Sequence, residues 1–365
     1  MTYLDNVARQ LHELEQRGLR RTILPQSPYA SGTLLDFSAN DYLGLAQHPS
    51  VVASLNNATR VGSGGARLLA GAHDAHRRLE HELAKFVGRE RALLVSSGYH
   101  AALAAIGTLA NVVDSAYSDV LNHASLIDGM RLTKLKRHVY PHRSIPAIEG
   151  DSALLVTESL FGVDGDSADP ARLLGTLRAH DVMLIDEAHA LGVLGPHGGG
   201  LAYGLDDPRI VIMGTLSKAF GAHGGFIAGP SRLIEYMQSS ARAFIFDTAL
   251  PPAIAEAAIT AVRIARDFND GRARLSTVGS RLRSALRDAN WPVPDGVGPI
   301  VPILIGDVDR TMTIAGRLCN LGINAPPIRP PTVPPGTSRL RVTLRATHTN
   351  EDIDRLVAAL SGIGA

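Results

Sequence analysis

The sequence predicts an α/β protein: a large unit built on a mostly parallel central sheet, followed by a smaller α+β unit. Two observations carry this. From about residue 90 to 230, short apolar runs alternate with helical stretches, the pattern of a parallel sheet covered on both faces. After Pro251-Pro252 the pattern changes to long helices followed by separate strands. A third observation concerns the ends of the runs, where polar residues cluster as they do at a ligand crevice beyond the carboxyl ends of parallel strands.

The elements follow in order. Leu4, Val7, Leu11 and Leu14 recur at helical spacing and predict an amphipathic opening helix that stops at Gly18, with Arg20 and Arg21 just beyond. Strands are expected at 92–96, 116–121, 153–157, 182–186, 209–214 and 225–229, with helical patterns between most of them, as in 98–111 and 170–180. Helices at 253–268 and 271–289 lead to the break Trp291-Pro292-Val293-Pro294. The tail reads as strand 300–305, helix 309–321, a rigid proline-rich loop 326–336, strand 338–345 and helix 350–360. This divides the chain into an N-terminal helix and arm (1–36), a large α/β domain (37–262) and a small α+β domain (263–365).

Composition narrows the class. A chain of 365 residues with 45% hydrophobic content can bury a large core without disulfides. The net charge of +1 leaves no electrostatic footprint for nucleic acid or an anionic membrane. No run approaches the roughly 20 apolar residues of a spanning helix. Asp5, Arg9, Glu13 and Glu15 leave no room for a signal-peptide core, so a cytoplasmic enzyme is expected. The single cysteine, Cys319, excludes a disulfide framework and is expected to pack as a small hydrophobe.

One lysine stands apart. Four lysines face 32 arginines, and Lys85, Lys134 and Lys136 have charged company. Lys218 lies instead in the small-residue turn Gly214-Thr215-Leu216-Ser217-Lys218-Ala219-Phe220-Gly221, after the apolar run Ile210 to Met213. Most lysines are solvated surface groups. At a strand end among small neighbours, a desolvated amine is suited to a Schiff base with an aldehyde coenzyme, and the Thr215 hydroxyl can serve a phosphate. Asp186 ends the apolar run from Val182 and reads either as a helix N-cap or as a buried carboxylate opposite a pyridine nitrogen. Glu187 should point away from it, and His189 could reach a phenolic oxygen. His123, after another strand, is either a packed or surface residue or a ring stacked on a cofactor face. An amine, a carboxylate and an imidazole at strand ends are the parts needed to hold pyridoxal phosphate.

Other signals are weaker. Ser96-Ser97-Gly98-Tyr99-His100 joins a strand to a helix, and backbone amides at a helix start bind phosphate. Gly62 to Arg67 is a second glycine-rich turn without the GxxxxGK[ST] form. Arg339 and Arg341 alternate with apolar residues, so they form either a solvated face or a fork for a substrate carboxylate. Asp186-Glu187-Ala188-His189 spells the DEAH box of nucleic-acid-stimulated ATPases. No lysine here follows a glycine with Ser or Thr after it, and the 36 basic and 35 acidic residues suggest no basic surface.

Taken together these segments resemble the α-oxoamine synthase family of fold-type I pyridoxal-phosphate enzymes. The resemblance runs nearly end to end. It spans Leu19-Arg20, Ser38 to Leu45, the Gly62 turn, Ser97-Gly98-Tyr99, the His123 segment, Thr157-Glu158, Asp164-Gly165-Asp166, Asp186 to His189, the Lys218 loop and Pro330 to Pro334. Ile328 to Pro334 is most similar to members that condense L-alanine with a pimeloyl thioester, on coenzyme A or an acyl carrier protein, in biotin synthesis. Sister members make aminolevulinate, aminoketobutyrate or sphingoid bases.

The resemblance implies a homodimer with a shared active site and a role for each matching position. Lys218 would carry the cofactor, Asp186 would pair with its ring nitrogen, His189 would bond its phenolic oxygen, and His123 would stack on the ring. The Gly98 and Tyr99 amides and Thr215 would hold its phosphate, and Thr248 would reach the phosphate of the neighbouring subunit. Arg341 would receive the alanine carboxylate. Arg20, or Arg21 beside it, and Thr332 would contact the acyl chain or its carrier. Two positions depart from the family pattern: Gly162 and Ala66 stand where many relatives have serine. His189 would then serve the phenolic oxygen alone or with water.

Overall fold

The computed structural model describes residues 2–21, 23, 32, 34–57 and 59–364. Among these residues the strands are β1 (Leu35–Asp36), β2 (Arg91–Val95), β3 (Ser115–Asp119), β4 (Lys136–Tyr140), β5 (Ala153–Glu158), β6 (Val182–Asp186), β7 (Ile210–Thr215), β8 (Gly225–Gly229), β9 (Ile300–Gly306), β10 (Ile323–Asn324), β11 (Pro327–Ile328) and β12 (Ser338–Thr343). The α-helices are α1 (Tyr3–Gln16), α2 (Pro49–Ser54), α3 (Asp74–Val87), α4 (Gly98–Leu109), α5 (Ala124–Arg131), α6 (Pro170–Leu174), α7 (Ser231–Ser240), α8 (Arg242–Ile245), α9 (Pro252–Asp267), α10 (Asn269–Asp288), α11 (Val308–Asn320) and α12 (Asn350–Ile363).

The large α/β domain is built on a seven-stranded sheet in the order β2-β8-β7-β6-β5-β3-β4. Only β8 runs against its neighbours, pairing antiparallel with both β2 and β7. Alternation within the strands splits the core into two layers. Leu154, Val156, Leu184, Val211 and Met213 face α4 on one side. Leu155, Met183, Ile185, Ile210 and Ile212 join α3 and α9 on the other. Burial on both faces is why these strands read as continuous apolar runs.

The smaller C-terminal domain holds the antiparallel sheet β11-β12-β9. A parallel pairing of β1 with β10 ties the segment before Ser38 to this sheet's side of the molecule.

Several expectations need correcting. Strand β4 was not expected, because Lys136-Arg137-His138-Val139-Tyr140 has no apolar run; it is a sheet edge, where charged side chains are tolerated. The helix predicted over 170–180 stops at Leu174, with Gly175 as its C-cap. Cys319 is exposed rather than packed. The predicted proline-rich loop contains the short strand β11. Helix α1 forms as its spacing requires, yet it buries no residue, and Leu4, Val7, Leu11 and Leu14 stay exposed.

Candidate active site

The carboxyl ends of the parallel strands enclose a cavity of about 220 Å³. Its lining includes Ser97, Gly98, Tyr99, His123, Glu158, Asp186, His189, Thr215, Ser217 and Lys218. Segments as far apart as Ser97 and Lys218 meet because β2, β3, β5, β6 and β7 all run the same way and their loops leave the sheet on the same side.

Lys218 follows β7 in a turn tied by hydrogen bonds from Gly221 N to the Lys218 carbonyl and from Ala222 N to the Leu216 carbonyl. Desolvation lowers its amine pKa to about 8, against the opposing pull of Asp186 and Glu158. Asp186 ends β6. Its Oδ1 accepts the Ala188 N–H at 2.8 Å, so it caps a turn and lines the cavity at once. Glu187 diverges as expected: it is fully buried and accepts the N–H groups of Leu201 and Ala202, at 3.1 and 2.7 Å.

His189 is buried, and its Nδ1 lies 2.6 Å from the Tyr42 hydroxyl. Burial, with Lys218, Arg341 and His123 adding to it, holds its pKa well below the usual histidine value, so the ring is neutral. His123 precedes α5. Its Nδ1 accepts the Ser125 N–H at 3.2 Å, and this exposed residue lines the cavity. Desolvation and the Lys218 charge lower its pKa, while Asp186 works in the other direction.

At the opposite wall, α4 begins. Ser97 caps it by accepting the His100 N–H at 3.2 Å, and the first helical residues, Gly98 and Tyr99, whose amides have no intrahelical acceptor, line the cavity. A Cβ on Gly98 would stand only 3.1 Å from Thr215 Cβ, so glycine keeps this end open. The Thr215 and Ser217 hydroxyls are 2.8 Å apart beside it. A primary amine, a carboxylate, a neutral imidazole and an anion-binding helix start around one cavity fit pyridoxal phosphate.

Arg341 and Arg339 are buried rather than solvated. Arg341 reaches from β12 into the large domain, donating Nε to the Gly162 carbonyl at 2.6 Å and Nη2 to Asn40 Oδ1 at 3.0 Å. Arg339 pairs with Asp164. The Lys218 cavity does not include Thr248. That residue is exposed beside a separate crevice, where it bridges to Ala66. Arg20 and Arg21 line another cavity, of about 690 Å³, with Leu11, Leu14, Leu19, Pro330 and Pro331. Arg21, not Arg20, touches Thr332, donating to its hydroxyl at 3.2 Å; Arg20 pairs with Glu15 at 3.1 Å.

Three site residues had no role in the sequence reading: Glu158, Tyr42 and Ser217. Glu158 ends β5 in register with Asp186, a position that the strand pattern alone could have flagged.

The fold and this site define a fold-type I pyridoxal-phosphate enzyme, and the chain belongs to the aminotransferase class I and II family, whose profile matches residues 32–360. Within that family it is similar to 8-amino-7-oxononanoate synthases. The enzyme of that name from Burkholderia cenocepacia (strain HI2424) is 42% identical over 386 residues, covering 99% of this chain and 95% of that protein. The Francisella tularensis 8-amino-7-oxononanoate synthase structure superposes with a TM-score of 0.80 at 28% identity, over 91% of this chain and 98% of the other. Sphingomonas wittichii serine palmitoyltransferase gives a TM-score of 0.88 at 26% identity, over 100% of this chain and 99% of that one. The cofactor is pyridoxal phosphate, and the activity is the acyl-transferring condensation of the α-oxoamine synthases. Among the described residues no helix is long and apolar enough to cross a membrane.

Proposed function

We propose that the enzyme condenses L-alanine with a pimeloyl thioester to give 8-amino-7-oxononanoate, carbon dioxide and the free thiol carrier. The observation that carries this reading is the 42% identity to 8-amino-7-oxononanoate synthases across 99% of the chain. The site supports it with a small cavity and a buried guanidinium, that of Arg341, which bears on both Lys218 and His189.

Bound pyridoxal phosphate supplies an electron sink for a carbanion at the substrate α-carbon. Lys218 would hold the cofactor through its amine nitrogen. Its amine, with a pKa lowered to about 8, is suited to take the alanine α-proton and later return it. Asp186 would set a carboxylate against the ring nitrogen, and His189 would give an N–H to the phenolic oxygen. His123 would cover the ring face. The amides at the start of α4 and the Thr215 hydroxyl hold the phosphate, and Thr248 serves the neighbouring subunit's phosphate across a homodimer interface. Arg341 receives the alanine carboxylate, with Asn40 and the Gly162 carbonyl keeping its guanidinium in place. Arg20, Arg21 and Thr332 line the acyl or carrier side, on coenzyme A or a carrier protein. Breaks after residues 36 and 262 separate the arm, the large domain and the small domain in this reading.

The test is direct. Purified holoenzyme is titrated with L-alanine, glycine and L-serine while its visible band is followed, and pimeloyl-CoA products are then identified by mass. A band shift and an 8-amino-7-oxononanoate product with alanine support the reading. Product with glycine or serine alone points to a sister synthase.

A further inference from the structure

Tyr42 is wholly buried and has no role in the scheme above. Its hydroxyl lies 2.6 Å from His189 Nδ1 and 3.2 Å from Asn40 Oδ1. One hydroxyl proton must serve one of these two acceptors. Asn40 Oδ1 already receives Arg341 Nη2 at 3.0 Å. The contact to His189, much shorter than the one to Asn40, places the proton on the line to His189. Nδ1 is then an acceptor, so the single N–H of a neutral imidazole resides on Nε2.

Nε2 is also the atom nearest to Gly162. A Cβ at that position would stand 2.2 Å from Nε2, so a side chain there would displace the ring. The charged or titratable groups that bear on the ring are Lys218, Arg341 and His123, and each opposes a second proton on it. A neutral ring has two tautomers, and a partner outside the ring must select between them.

We propose that Tyr42 is a positioning residue: its hydroxyl fixes His189 as the Nε2–H tautomer, leaving that N–H beside Gly162 to donate to the phenolic oxygen of the cofactor. This rests on the placement of His189 proposed above. It also makes Tyr42 and Asn40 a chain of contacts between the carboxylate-binding Arg341 and the imidazole.

The experiment titrates the visible band of holoenzyme against pH in four proteins: unsubstituted, Tyr42→Phe, His189→Ala and the double variant. Loss of a donor to the phenolic oxygen raises the pH midpoint, by about one unit for one charge-assisted bond. The expected result is an upward shift in both single variants and no further shift when Tyr42→Phe is added to His189→Ala. An equal Tyr42→Phe shift in both backgrounds overturns the proposal. A shift with His189→Ala but none with Tyr42→Phe also overturns it, while sparing the placement of His189. No shift with His189→Ala removes both. Nitrogen-15 spectra of histidine-labelled, cofactor-free protein give an independent reading without substitution: a protonated Nε2 and bare Nδ1 at His189 are expected, and a protonated Nδ1 contradicts the proposal.

Discussion

Glu158 and Asp186 are register partners at the last residues of β5 and β6, and both side chains bear on the single amine of Lys218. Burial, reinforced by the Asp186 carboxylate, pushes Glu158 up to about 8, so it keeps its proton at neutral pH. It accepts the Gly162 N–H at 3.2 Å, which ties the loop after β5 to the strand's end.

Cofactor capture by apoprotein depends on the neutral form of Lys218. Its folded pKa of about 8 lies below the ordinary 10.5, so the capture rate should rise with pH and level off above about 8. At pH 7 roughly a tenth of the molecules carry the neutral amine. Stopped-flow mixing of apoprotein with pyridoxal phosphate from pH 6 to 10 measures this. A rate that keeps climbing tenfold per unit to pH 10 contradicts it.

Glu158→Gln should change stability in a pH-dependent way. The folded pKa of about 8 exceeds the ordinary 4.5, so proton binding favours the fold below about pH 4.5, and that contribution is lost as pH rises through 8. The variant lacks this loss. Its Tm relative to the unsubstituted protein should climb between pH 5 and 8.5, and a difference independent of pH contradicts the expectation.

Gly162→Ser tests the space beside His189. The added Cβ would overlap Nε2 at 2.2 Å, so ring or backbone must move. Overpacking of this kind costs about 1–3 kcal/mol, read as a lowered Tm. Turnover should fall roughly tenfold or more through the misplaced imidazole. Unchanged Tm and turnover would show that the site accepts a side chain freely.

Arg341→Met should weaken alanine binding. A charge-assisted hydrogen bond contributes about 1.5–3 kcal/mol, which corresponds to a rise in KM for alanine of roughly 10- to 100-fold. The KM for the acyl thioester should move far less. Equal rises in both contradict a dedicated carboxylate contact.

Much of this site was legible before the fold. The central strands are buried on both faces, so Val182 to Asp186 and Ile210 to Thr215 read as apolar runs whose polar ends mark the crevice. Lys218, Asp186, His189 and His123 stand at such ends, and the cavity gathers them. Tyr42 escaped because its segment forms neither helix nor strand, and only tertiary packing brings it under His189, 147 residues away. Arg339 and Arg341 kept two readings because strand alternation cannot show that a second domain covers the arginine face. The edge strand β4 carries charge where an edge permits it, which erased its apolar signal.

The covalent role of Lys218 is the centre of the account. Holoenzyme is reduced with borohydride, digested and mapped by mass, beside a Lys218→Ala control. The pyridoxyl phosphate mass is predicted on the peptide containing Lys218, with no label and no turnover in the control. A label on Lys85, Lys134 or Lys136, or retained turnover without Lys218, would contradict it.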